Sequence, residues 1–148
     1  MELLELVDRS DYTYVLETNG MILGDIPDYV EALQRFKNLH VRISIKGCDE
    51  EEFHTITGAK SSAYALPYNG LKSLIDAGIS CNACLSVSFS DEASIESAKT
   101  RLYELWPGLL KSLEIERIKL FPKVRERLTS HDLLASDKPA SNKRRLVA

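Results

Sequence analysis

The sequence predicts an α/β protein with a parallel sheet, on three observations. Val41, Ile43 and Ile45 alternate with Arg42, Ser44 and Lys46, and because successive strand side chains point to opposite faces, one face is apolar and the other polar. Strand-like and helix-like segments alternate along the chain in the order (α)βαβαβαβ(α), and repeated crossovers of this kind give parallel strands with right-handed connections. The polar second face recurs at Cys84, Ser86 and Ser88, where a closed eight-stranded barrel would pack branched apolar side chains. A wider, ligand-holding lumen follows. Four βα units are only a portion of such a barrel, and both outer strands leave edges that call for a partner, a missing segment or a second copy of the chain.

Each element has its own signal. Leu3, Leu4, Leu6 and Val7 suit the last turns of a helix. Tyr12 to Glu17 is β-branched and aromatic, and Thr18-Asn19-Gly20 closes it with turn residues. After a loop holding Gly24 and Pro27, the spacing of Tyr29, Ala32, Leu33 and Phe36 predicts a helix over Asp28 to Phe36. The strand Val41–Lys46 runs into Gly47 and an acidic turn. A helix over Ala63 to Ala77 shows Leu66, Leu71, Leu74 and Ile75 as a stripe, tolerates Pro67 in its first turn and stops at Gly78. A third strand covers about Ala83 to Phe89, and Ser90-Asp91-Glu92 caps a helix to about Leu105, its acids placed where the helix dipole favours them. Pro107-Gly108 breaks that helix. A fourth strand spans Ile115 to Phe121, and Lys123 to Leu128 form a last helix. Residues 129–148 have little periodicity and read as a disordered tail ending in a solvated Lys143-Arg144-Arg145 run.

A chain of 148 residues, 44% hydrophobic and 28% charged, fits one domain. A net charge of −3 gives no general attraction to nucleic acid or anionic lipid. No apolar run approaches the ~20 residues that span a bilayer, and the acidic start does not resemble a secretory signal. Cys48, Cys81 and Cys84 are an odd number of thiols, which suits a reducing cytoplasm. The Cys81-x-x-Cys84 spacing raises an iron–sulfur reading with Cys48 as third ligand, but within a strand the period of two sends Cys81 and Cys84 to opposite faces. Lys46 at a strand end either reaches solvent or meets an anion, and its place at the carboxyl end of a parallel strand favours the anion.

Glu17-Thr18-Asn19-Gly20, then Ser44-Ile45-Lys46 followed by Asp49, His54 and Thr57-Gly58, resembles the radical S-adenosylmethionine superfamily, nearest the pyruvate formate-lyase activating-enzyme type. The segments LSVSFSDEASIES and ERIKLFPKVRERL resemble that family's fifth strand with its acidic helix start and its sixth strand with a hydrophobic-Pro exit. The resemblance covers about residues 1–128. It implies a partial (β/α)6 TIM-like barrel lacking its first two strands, in which a [4Fe-4S] cluster cleaves S-adenosylmethionine to a 5′-deoxyadenosyl radical.

The same resemblance implies a cofactor-binding set of Glu17, Thr18, Asn19, Ser44 and Lys46. Glu17 and Thr18 match the turn beside the S-adenosylmethionine carboxylate, and Lys46 matches a lysine able to pair with that carboxylate as a point charge. Ser44 stands where the family has Asp, and Lys123-Val124 stand where the activating enzymes bring a histidine to the adenosyl group. The cluster-binding C-x3-C-x2-C is absent, so the chain alone is not expected to make the radical. His54 is expected to be a locally hydrogen-bonded histidine. Three readings compete: the distal part of a radical S-adenosylmethionine protein completed by an amino-terminal segment, a degenerate, non-enzymatic module that binds a ligand or partner, or an independent half-barrel that pairs with itself to cover its edges.

Overall fold

The protein is described over residues 2–134 from a computed structural model. Four strands, β1 (Tyr14–Thr18), β2 (Leu39–Lys46), β3 (Ser80–Ser86) and β4 (Glu114–Glu116), lie side by side in chain order. Each adjacent pair is parallel. The helices are α1 (Glu2–Asp8), α2 (Met21–Asp25), α3 (Pro27–Leu33), α4 (Glu50–Thr57), α5 (Ala65–Asp76), α6 (Glu92–Leu105) and α7 (Pro122–Ser130). The chain is therefore α/β with a four-stranded parallel sheet. Among the described residues no helix is long and apolar enough to cross a membrane.

The core forms on one face of the sheet because the alternation in β2 sends Val41, Ile43 and Ile45 there, where all three are fully buried. Ala83 and Leu85 of β3 join them, and α5 covers both strands with Leu71 and Leu74. Each fully buried Val, Leu or Ile contributes roughly 1.5–3 kcal/mol, so this layer dominates stability. Cys81 packs toward this core, whereas Cys84 lies on the other face against Arg42.

Several elements differ from the sequence reading: β3 runs Ser80–Ser86, three residues earlier than the expected Ala83–Phe89, and α3 ends at Leu33 instead of Phe36. The acidic turn after Lys46 is a helix, α4: Asp49 caps it by accepting the Glu52 N–H at 2.8 Å, and Glu50, Glu51 and Glu52 fill its first turn, where the helix dipole favours acids. The loop around Gly24 is also helical. Gly20 takes a left-handed φ of 71° to start α2, and Gly24 lets α2 lie directly on α5, since a Cβ there would collide with the Leu66 carbonyl. The fourth strand is three residues long instead of reaching Phe121. Its last ladder bond, Val87 N–H to Glu116 O at 3.0 Å, falls where β3 turns away, and the Ile118 N–H goes to the Ser88 hydroxyl at 2.7 Å instead. At the other end of the chain, Thr129 and Ser130 still belong to α7, and the remainder of the expected tail from residue 135 onward lies outside the described residues.

Candidate functional site

The second face of the sheet is polar, and its charges meet across strands. In register, Glu17 stands beside Arg42, Arg42 beside Asn82, Ser44 beside Cys84, and Lys46 beside Ser86, which in turn stands beside Glu116. Arg42 donates to Glu17 at 2.8 Å, to both oxygens of Glu114 at 2.9–3.1 Å, and to the Cys84 sulfur at 3.1 Å. Asn82 adds a bond to Glu114 at 2.7 Å, and His40 meets Asn82 at 3.0 Å and Ser80 at 2.8 Å. The Arg42 hydrogen bonds hold the Glu114 carboxyl below its usual range, with Asn82 assisting. The same bond to Glu114 raises the Arg42 pKa further.

Nearer the carboxyl ends of the strands, Lys46 donates to Glu116 at 3.1 Å. Their side chains are 39% and 46% exposed. An ion pair this open is worth at most about 1 kcal/mol, so a ligand can exchange with either partner. Ser44 and Ser86 flank the pair on the same face.

The sequence-predicted set is divided by the register. Thr18 pairs with Ile43, so β1 ends level with the middle of β2. Glu17 is opposite Arg42, four residues before Lys46, a strand rise of about 13 Å. Glu17 and Lys46 are not brought together. Ser44 and Lys46 do share the polar face. The Thr18 hydroxyl accepts the Gly20 N–H at 3.1 Å, and the Asn19 side chain accepts the Met21 N–H at 3.1 Å, so both residues shape the turn into α2. Glu17 and Thr18 also line an apolar cleft of about 270 Å³ with Leu16, Ile22, Leu23 and Tyr29. His54 lies in the last turn of α4 and meets the Ala59 carbonyl at 2.7 Å.

Arg42, Glu114 and Glu116 carry most of the charge on this face and were not among the predicted site residues. The alternation of Glu114, Ile115 and Glu116 was the available signal, because it sends both acids to the face that Lys46 and Arg42 occupy. A further pair of buried serines, Ser88 and Ser90, lies in the β3 exit, and Ser90 donates to both carboxylate oxygens of Glu52 at 2.7 and 2.8 Å.

The three thiols occupy three environments. Cys48 is buried in the β2 exit, and burial pushes its pKa up to about 11. Cys81 faces the core and is likewise raised to about 11 by burial. Cys84 faces the polar side, its pKa raised by burial against the opposing pull of Arg42. Thiolate is the form that ligates iron. Thiols on opposite faces of one strand cannot converge on one cluster, so this set does not fit a [4Fe-4S] group.

The fold and this face together define a parallel α/β protein with a charged strand-end surface. No family model matches the chain, and no curated protein matches it.

Proposed function

We propose that this chain is the distal part of a partial (β/α)6 barrel of the radical S-adenosylmethionine type, holding the ligand while an amino-terminal segment supplies the cluster. The observation that carries this reading is the open, charged second face on a sheet of four parallel strands in sequential order. In a doubly wound sheet helices cover both faces, whereas in a barrel the second face is a lumen. The motif order from Glu17 to Pro122 supports the family assignment. Three free thiols suit a reducing, cytoplasmic setting.

Within this reading the ligand's amino-acid end sits at Lys46 and Glu116. These two groups already form an exchangeable ion pair at the strand ends, so a carboxylate can take Lys46 and an ammonium can take Glu116, with Ser44 and Ser86 beside them. When bound, the cluster would supply the electron that cleaves the sulfonium. This chain's own contribution is to bind and orient the ligand. The amino-terminal segment, or a second copy, would also cover the open edges of β1 and β4.

The test is titration of S-adenosylmethionine into the chain reassembled with an amino-terminal segment bearing C-x3-C-x2-C. Lys46→Ala should weaken binding about tenfold or more, the loss of one charge-assisted hydrogen bond of roughly 1.5–3 kcal/mol. Unchanged affinity would remove Lys46 from the site. A second reading, a non-enzymatic module, is favoured by the pairing of Arg42 with both Glu17 and Glu114, which already engages the guanidinium charge within the protein. An in-frame C-x3-C-x2-C within about a hundred codons upstream, room for two more strands and their helices, supports the first reading and sinks the second.

A further inference from the structure

Glu52 is a carboxylate with an unusual set of partners. It is 3% exposed, yet its carboxylate accepts from neutral groups: the Cys48 N–H at 3.0 Å and the Ser90 hydroxyl at 2.7 and 2.8 Å. Burying a carboxylate without a cation is costly unless its hydrogen bonds are well formed. A helix cap does not account for it. In a capping box the third helical residue reaches back to the cap residue's own N–H, whereas Glu52 reaches one residue further, to Cys48, and then spans 38 residues to Ser90. The approach also requires Gly47, whose φ is +83° and where a Cβ would stand 3.0 Å from the Glu52 Cγ.

Gly47 and Cys48 are the two residues that follow Lys46. Gly47 N–H continues the sheet ladder to the Ser86 carbonyl at 3.2 Å, so the backbone leaving Lys46 is held from β3 on one side and from Glu52 on the other. Ser90, fully buried, ties the same carboxylate to the β3 exit.

We propose that Glu52 is a positioning residue for the β2 strand end: its buried carboxylate fixes the backbone after Lys46 and so sets the direction in which Lys46 presents its ammonium. The consequence for ligand affinity rests on the function proposed above, whereas the positioning itself does not.

The experiment separates the two. In the full chain, the acylation rate of Lys46 by an N-hydroxysuccinimide acetate is followed by mass spectrometry, with Lys72 on α5 as internal control. Glu52→Ala and Ser90→Ala should raise the Lys46 rate at least about threefold, as local opening frees it from Glu116, and leave Lys72 unchanged. Glu52→Gln keeps an oxygen for Cys48 and an amide for Ser90, and should stay close to wild type. If Glu52→Ala does not fold, Ser90→Ala, which deletes a single oxygen, carries the same test. An unchanged Lys46 rate in a folded Glu52→Ala or Ser90→Ala chain overturns the proposal. A raised rate supports it, and S-adenosylmethionine affinity in the reassembled protein then judges the ligand reading alone: a tenfold loss in the same variants, restored by Glu52→Gln, extends the positioning role to binding, while unchanged affinity counts against Lys46 as a ligand contact.

Discussion

Arg42 and Glu114, 72 residues apart, are joined across the intervening strand β3 by three hydrogen bonds of 2.9–3.1 Å, while the remaining arm of Arg42 holds Glu17 at 2.8 Å. One guanidinium thus ties β1, β2 and β4 together on the polar face of the sheet. Arg42 is only 18% exposed, and its fork geometry is what lysine cannot reproduce.

Replacing Arg42 by Met should therefore destabilise the chain by on the order of 1 kcal/mol, the upper end for partly exposed ion pairs because two carboxylates lose their partner. The effect should depend on pH with a definite sign. Glu114 has a folded pKa below its usual value of 4.5, chiefly through the Arg42 hydrogen bond. Its contribution is complete above that usual value and is lost as pH falls through the lower, folded one. Urea titrations of wild type and Glu114→Gln should differ at pH 7 and converge in strong acid. A gap that persists there would mean that Glu114 acts by packing.

The thiols should be slow to react and unable to hold a cluster. Burial disfavours the thiolate and pushes the Cys48 and Cys81 thiols up from 9.0 to about 11. A raised folded pKa contributes stability that is complete below 9.0 and is lost as pH rises toward 11. Stability should fall over that interval, and fall less in Cys81→Ala. Anaerobic reconstitution with iron and sulfide should leave the chain without a stoichiometric [4Fe-4S] cluster. A cluster that disappears in the double substitution of Cys81 and Cys84 by Ser would refute this.

Gly24→Ala should destabilise by about 3 kcal/mol, the upper end for overpacking, because the added methyl meets the Leu66 carbonyl and the Gly70 backbone, which cannot move aside as a side chain can. Gly58→Ala is the control. Gly58 has a left-handed φ of 70° but open space around it, so only the backbone penalty of about 1 kcal/mol applies. Equal losses at the two positions, measured by chemical denaturation, would show that α2 does not rest on α5 as described.

The β4 edge should drive self-association. Ile115 is 45% exposed, Trp106 and Phe121 are comparably open, and the outer side of β4 has no strand partner among the described residues. The weight-average mass in sedimentation should rise with concentration. Ile115→Lys, which places a charge on the edge as natural sheets do, should shift the chain toward monomer. A monomer at every concentration would show that the edge needs no cover.

The sequence by itself determined the class and the two faces of the sheet. The period of two in Val41–Lys46 and the alternation of strand and helix signals depend only on local backbone geometry, and the same rule placed Cys81 and Cys84 on opposite faces. Ser44 and Lys46 were legible as polar-face residues for that reason. Register was not legible, because it depends on how far one strand slides along another, a relation between segments some 25 to 70 residues apart. Tertiary packing alone decided that Glu17 lies beside Arg42 and that Glu116 is the acid beside Lys46. It also decided where the Glu52 side chain of α4 points, since the buried Ser90 hydroxyl that donates to its carboxylate arrives from another part of the chain. Local patterns set the direction of each side chain, and long-range docking of strands and helices chose its partner.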